Sequence, residues 1–143
     1  MKRRSLLGAV GMGAAGLGTA AMPMFPAAID GPLPNITFNV EDAKRVPDPS
    51  GELLIYFDGP TGMCKRMTAG SLRLKPGASP HPPHEHPEEE FMVITEGTGE
   101  MFCDGKTVKV KPGAMMYCGA RKLHGIVNTG KKPLTFYFYK WRT

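Results

Sequence analysis

Gly77 to Gly97 reads GASPHPPHEHPEEEFMVITEG, and within it His84, His86 and Glu90 stand as H-x-H-x-x-x-E. The chain has four histidines, and three of them fall between positions 81 and 86. Histidines used as ordinary surface residues would be scattered. A lone histidine on an apolar face is more often a satisfied core or surface residue than a ligand, so it is the set that points to a metal. Alternate side chains of a β-strand share a face, so the spacing predicts that His84 and His86 project together from one strand end. Glu90 lies an even number of residues further on, at the head of the apolar run Phe91-Met92-Val93-Ile94. If that run is a strand, Glu90 turns back toward the pair. The fourth group is His124, which must arrive from another strand. Its segment, Leu123-His124-Gly125-Ile126-Val127, reads as a short strand closed by the turn residues Asn128-Thr129-Gly130. Imidazole is the commonest protein metal ligand, and imidazole with carboxylate suits first-row divalent ions. His84, His86, Glu90 and His124 are therefore the candidate ligands of one divalent metal.

Working outward, the chain reads as a succession of short strands. Asp104-Gly105 is a two-residue hairpin signal between Gly99-Cys103 and Lys106-Lys111. In Thr107 to Lys111 the alternation sends Lys109 and Lys111 outward and predicts Val108 and Val110 inward. Pro112-Gly113 interrupts, and Ala114 to Cys118 is the next apolar run. Leu134 to Trp141 is aromatic and β-rich, a last strand expected to be covered on both faces. Upstream, Leu53 to Phe57 and Ser71 to Leu74 are bounded by turn residues, and an edge strand is expected near Ile36-Val40. Short strands at this spacing argue an all-β sandwich or barrel. By parity with Glu90 and the lysines, Met92, Ile94, Val108 and Val110 should line its interior. They would either face a small, partly apolar ligand or fill the core.

The same residues carry a resemblance to a known family. Gly77 to Gly97 resembles the first motif of the cupin superfamily, G-x5-H-x-H-x3,4-E-x6-G. His84, His86, Glu90 and Gly97 match in register, and Gly77 stands one residue too far upstream. Gly113 to Asn128, GAMMYCGARKLHGIVN, resembles the second motif, G-x5-P-x-G-x2-H-x3-N. Gly113, His124 and Asn128 match; Gly119 and Arg121 stand where that motif has its proline and second glycine. The resemblance covers the chain from about Leu53 to the C-terminus. It implies an antiparallel jelly-roll β-barrel of six to eight strands with one metal held by three histidines and a glutamate. Mn or Fe is favoured, with Ni, Cu or Zn as the other choices, and a homodimer is implied by family analogy.

The N-terminus differs in character. Met1-Lys2-Arg3-Arg4-Ser5-Leu6-Leu7 opens a basic region followed by a Gly/Ala-rich apolar stretch to Ala21, the parts of a secretory signal. Arg3-Arg4 before Ser5-Leu6-Leu7 resembles a twin-arginine signal. Residues 1–28 are thus read as signal and start of a linker, with cleavage near Ala21, residues 29–51 as linker and edge strand, and residues 52–143 as the barrel. The apolar stretch is shorter and more glycine-rich than a comfortable membrane span of roughly 20 residues; general secretion or an uncleaved anchor is the alternative to twin-arginine export, and the expected destination is periplasmic or otherwise extracytoplasmic. The net charge of +5 comes from 18 basic and 13 acidic side chains; without Lys2, Arg3 and Arg4 there are 15 against 13, or +2. The basic balance thus belongs largely to the targeting segment. No arginine-rich stripe interleaved with aromatics is present, so nucleic-acid binding has no support.

Cys64, Cys103 and Cys118 are odd in number, which leaves at least one thiol unpaired. Cys103 and Cys118 lie on predicted strands, and packed thiols are favoured over a disulfide between them. His81, held among Pro80, Pro82 and Pro83, is read as a loop histidine in preference to a proton shuttle at the mouth of the site. Glu89 is a fallback ligand if the register slips. Arg121 and Lys122 either attract an anionic substrate or form a solvent-exposed turn. No general base beyond the ligands is evident, and two classes stay open. One is a metalloenzyme acting on a small molecule, as a dioxygenase-like oxidoreductase or an isomerase or lyase. The other is a non-catalytic binder of metal or small ligands in the cell envelope.

Overall fold

The computed structural model describes residues 31–143. The signal segment expected over residues 1–28 lies outside the described residues. Nine strands follow in order: β1 Lys44–Asp48, β2 Gly51–Gly59, β3 Arg66–Leu74, β4 Glu89–Glu96, β5 Gly99–Cys103, β6 Lys106–Val110, β7 Met115–Cys118, β8 His124–Val127 and β9 Leu134–Arg142. They form two sheets, one ordered β1-β2-β3-β9-β4-β7 and one ordered β6-β5-β8. Every pairing is antiparallel. Strands remote in sequence are neighbours, β3 beside β9 and β5 beside β8, which is the connectivity of a jelly roll. The expected all-β antiparallel barrel is the fold observed.

Period-two alternation places the core. In β4 the even positions Glu90, Met92 and Ile94 face inward and are buried, whereas Phe91 between them is exposed. Met92 and Ile94 join Leu74, Leu134, Phe136 and Phe138 in one apolar cluster between the sheets. Met92, Ile94 and Val110 therefore fill the barrel rather than line a cavity. The β5–β6 hairpin turns where expected, with Asp104 at φ 47° and Gly105 at φ 82°. Two consecutive positive φ values give the twist that a two-residue hairpin needs, and they select Asp-Gly.

Four expectations are corrected. Val108 is 58% exposed, not inward: of the two valines of β6, an outer strand of the small sheet, only Val110 reaches the core cluster. β9 is not covered on both faces: Leu134, Phe136 and Phe138 are buried while Tyr139, on the opposite face, is exposed. Ile36-Val40 is not a strand. Phe38 packs there by stacking on Phe57, 5.2 Å between ring centroids, and a 3-10 turn follows at Val40–Asp42. The edge strand is β1 instead, and it carries Pro47, whose missing N–H is tolerated at a sheet edge. Finally, His84 and His86 do not sit on a regular strand. His84 makes a single bridge to His124, and Pro82, Pro83 and Pro87 lack the donors to extend it into a ladder.

Candidate metal centre

Three separate pieces of backbone converge at the seam of the two sheets. His84 and His124 exchange both backbone hydrogen bonds, each N–H donating to the other's carbonyl at 2.9 Å. That bridge fixes the 84–86 segment against β8. Arg121 N–H donates to the His86 carbonyl at 2.8 Å and fastens the same segment to the loop before His124. Glu90 enters from the start of β4, on its buried face. The ring centroids of His84, His86 and His124 lie 4.7 to 5.3 Å apart. One nitrogen from each of the three rings falls within 4.8 Å of the others, an arrangement able to hold a metal ion. Glu90 Oε2 lies 3.1 Å from His86 Nε2 and 2.9 Å from His124 Nε2. All four candidates from the sequence are thus brought together.

The electrostatics favour a neutral imidazole at His84 and an ionised carboxylate at Glu90. Burial, reinforced by the neighbouring His81, His124 and His86 rings, pushes His84 down to about 4. It therefore stays neutral at pH 7. Burial pushes the Glu90 carboxyl up, but its contacts with His124 and His86 outweigh that and hold it below the usual carboxylate range. The Glu90 contact raises His124, against burial. The outer nitrogens have fixed roles: His124 Nδ1 faces the Lys122 carbonyl at 2.8 Å, and His86 Nδ1 faces the Glu88 carbonyl at 3.1 Å. A ring that donates from Nδ1 to a carbonyl presents a lone pair at Nε2, the arrangement metal-bound histidines use. Two buried nitrogens, His84 Nδ1 and His124 Nε2, have no aligned hydrogen bond. The His124 Nε2 contact with Glu90 is close but off the line of a good hydrogen bond. Orphaned buried nitrogens beside a buried carboxylate fit a divalent cation.

The remaining candidates are placed as follows. Glu89 accepts a hydrogen bond from the Tyr117 hydroxyl at 2.8 Å on the outer face of β4, so the register has not slipped and it is no substitute ligand. Lys122 reaches Asp104 at 3.4 Å, and both it and Arg121 are exposed, the solvent-exposed turn of the two alternatives. His81 is exposed but closer than a free loop residue, its ring centroid 3.9 Å from that of His84. An open groove of about 670 Å³ on the outer face of the small sheet borders His81 and Pro83 and does not include the three grouped histidines. The sequence did not reveal the carbonyls of Lys122 and Glu88 as partners of the rings, since a backbone atom leaves no mark in residue type.

Arg121 stands where the second cupin motif has a glycine, and it adopts φ 59°. The loop thus keeps a glycine's conformation with an arginine in place. Residues 70–139 match the family described as the cupin domain. No curated protein matches the chain. Among solved structures, an RmlC-like cupin from Shewanella frigidimarina aligns over 78% of this chain and 93% of its own at 15% identity, with a TM-score of 0.63. KdgF from a Halomonas species aligns over 77% and 96% at 18% identity, TM-score 0.63. A cupin-superfamily sugar phosphate isomerase from Silicibacter pomeroyi aligns over 76% of both chains at 24% identity, TM-score 0.61. Two sheets closed as a jelly roll, both motifs at the seam and the cupin domain matched over residues 70–139 together give this protein the cupin fold.

Proposed function

We propose that this protein binds one divalent metal through His84, His86, Glu90 and His124 and acts on a small molecule as a metalloenzyme of the isomerase or lyase type. The carrying observation is the convergence of three imidazoles and a buried carboxylate, with two imidazole nitrogens left without an aligned partner. Mn or Fe is favoured; a bound ion of this kind polarises a carbonyl or enol oxygen. His84 and His86 are partly exposed while His124 and Glu90 are buried, so a ligand approaches from the 84–86 side. His81 sits on that side. Its Nδ1 lies 3.0 Å from the Pro82 carbonyl, and donation there leaves Nε2 able to accept a proton. Proton transfer beside a Lewis-acid site favours isomerisation or elimination over a dioxygenase reaction. The filled barrel interior supports the second reading, a non-catalytic metal or small-ligand binder of the cell envelope.

Metal analysis of protein folded in the cytoplasm should find about one Mn or Fe per chain, lost in His84→Ala and in His124→Ala. Unchanged metal in both variants would sink the site. His81→Gln should keep the metal and lower turnover roughly 100-fold on any substrate found in a screen of small oxyanions and enolisable acids. Full metal with no turnover across that screen leaves the binder. Oxygen uptake with phenolic or dicarboxylic substrates would restore the dioxygenase alternative. Export by the twin-arginine route is part of the same proposal, and replacing Arg3 and Arg4 by lysine should hold the protein in the cytoplasmic fraction. The homodimer proposed from family analogy is checked by light scattering of the full chain.

A further inference from the structure

Cys103 ends β5 and Cys118 ends β7, strands of different sheets, and their Sγ atoms lie 3.0 Å apart as free thiols. The strand registers set Cys103 opposite His124 and Cys118 opposite Glu90. The thiol pair therefore spans the seam of the barrel directly beside two of the proposed ligands. It also shares a hydrogen-bond acceptor with one of them. The Lys122 carbonyl lies 2.8 Å from His124 Nδ1 and 3.8 Å from Cys118 Sγ.

We propose that Cys103 and Cys118 form an oxidisable dithiol whose disulfide staples the two sheets together and tightens metal binding at the adjoining site. The sulfurs need to close by about 1 Å to reach a bond of roughly 2.05 Å. A low-molecular-weight disulfide supplies the oxidant. Cys103, only partly buried, is the sulfur that meets it first; Cys118 is 1% exposed and reacts second. The Cys103 thiolate attacks one sulfur of the small disulfide, whose S–S bond breaks and releases one small thiolate. The Cys118 thiol then attacks the Cys103 sulfur, its proton passing to the second small thiolate as that group leaves. The released thiolates take up the two protons, so two protein thiols lose two electrons and one small disulfide gains them. Cys64, on the turn closed by Thr61, has no second cysteine beside it and stays a thiol.

The coupling to metal follows from the shared carbonyl and rests on the metal reading above; the crosslink does not. In the reduced form the Cys118 S–H and the His124 Nδ1–H converge on one oxygen. The disulfide has no S–H, so that carbonyl serves His124 alone and holds its ring with Nε2 toward the metal. The staple also ties β5 to β7, the ladder partners of β8 and β4, before the ion arrives, which lowers the ordering that binding requires.

The experiment uses the full chain, with oxidised glutathione as oxidant, a phosphine to reverse it, and Mn(II) as the metal probe. Titratable thiols in the unfolded protein should fall from three to one, and a single linked peptide should contain Cys103 and Cys118. The oxidised form should bind Mn(II) about tenfold more tightly, and the phosphine should reverse both effects. Three thiols after treatment, or glutathione left on Cys103 without closure, would overturn the crosslink. A crosslink that leaves Mn(II) affinity unchanged would overturn the coupling. Absence of Mn(II) binding in both states would refute the metal reading, and the thiol count would still decide the crosslink. Each comparison uses wild-type protein, so no variant has to fold.

Discussion

Asn128 is completely buried and uses both ends of its amide. Its Nδ2 donates to the carbonyls of Lys132 at 2.9 Å, Lys75 at 3.1 Å and Leu74 at 3.2 Å, and its Oδ1 accepts from Gly130 N–H at 3.0 Å. A carboxylate cannot replace it, since three carbonyl oxygens would face a buried negative charge. Asn128→Asp should destabilise the fold by about 3 kcal/mol or more, read as a shifted urea midpoint at pH 7; an unchanged midpoint would mean that the amide carries none of this load. Arg121 presents the opposite case. A side chain in the left-handed region costs roughly 1–2 kcal/mol, and glycine loses part of that gain through a freer unfolded chain. Arg121→Gly should therefore stabilise the protein by about 0.5 kcal/mol and leave metal content intact, both measurable on one purified sample. The Asn128 network was legible in the sequence only as a turn residue and a motif match, because two of its acceptors, Leu74 and Lys75, lie more than 50 positions upstream.

At the scale of elements, β2 and β3 are held near the loop that joins them by a charged rung. Asp58 faces Thr68 across the ladder, accepts from its hydroxyl at 2.9 Å and takes two hydrogen bonds from Arg66, at 2.8 and 3.0 Å. Partial burial pushes the Asp58 carboxyl up, but the Arg66 and Thr68 bonds prevail and hold it below the ordinary carboxylate value. A depressed folded value means that this stabilisation is fully present above the unfolded-state value and is lost as pH falls through the folded one. Asp58→Asn should accordingly flatten the acid limb of a stability-against-pH curve below about pH 4, with little change in its shape near neutrality. If the two curves run parallel on the acid side, the rung does not contribute. The hairpin at Asp104-Gly105 and the burial phase of β4 were plain from sequence because they depend on local φ and period. The exposure of Val108 was not. It depends on how far along β6 the core cluster extends, which reaches Val110 and not Val108 and is a matter of how the sheets pack.

For the whole molecule, the seam between the sheets is where the site and the fold meet. A cation held by His84, His86, Glu90 and His124 would join β4, β8 and the proline-rich segment that no ladder secures. Binding restricted to the folded state stabilises it by RT ln(1 + [L]/Kd), about 4 kcal/mol at a thousandfold excess over Kd. Chelation should thus lower the melting temperature of metal-loaded wild type by about 10 °C or more, while His124→Ala should melt at one temperature with or without the chelator. Equal melting of loaded and stripped wild type would show that the ion does not brace the barrel. Among the described residues no helix is long and apolar enough to cross a membrane.

The sequence by itself determined the strand-rich character of the chain, the inward phase of Glu90, Met92 and Ile94, the hairpin turn and the four candidate ligands, since each follows from residue type, parity or spacing along one segment. Tertiary structure alone decided the rest. It set His84 against His124 through a single bridge, aimed the Lys122 carbonyl at both His124 and Cys118, laid His81 on His84 and left Val108 in solvent. These are relations between segments remote in the chain. Closing the two sheets creates them, and no periodicity within one strand encodes which strand will lie beside it.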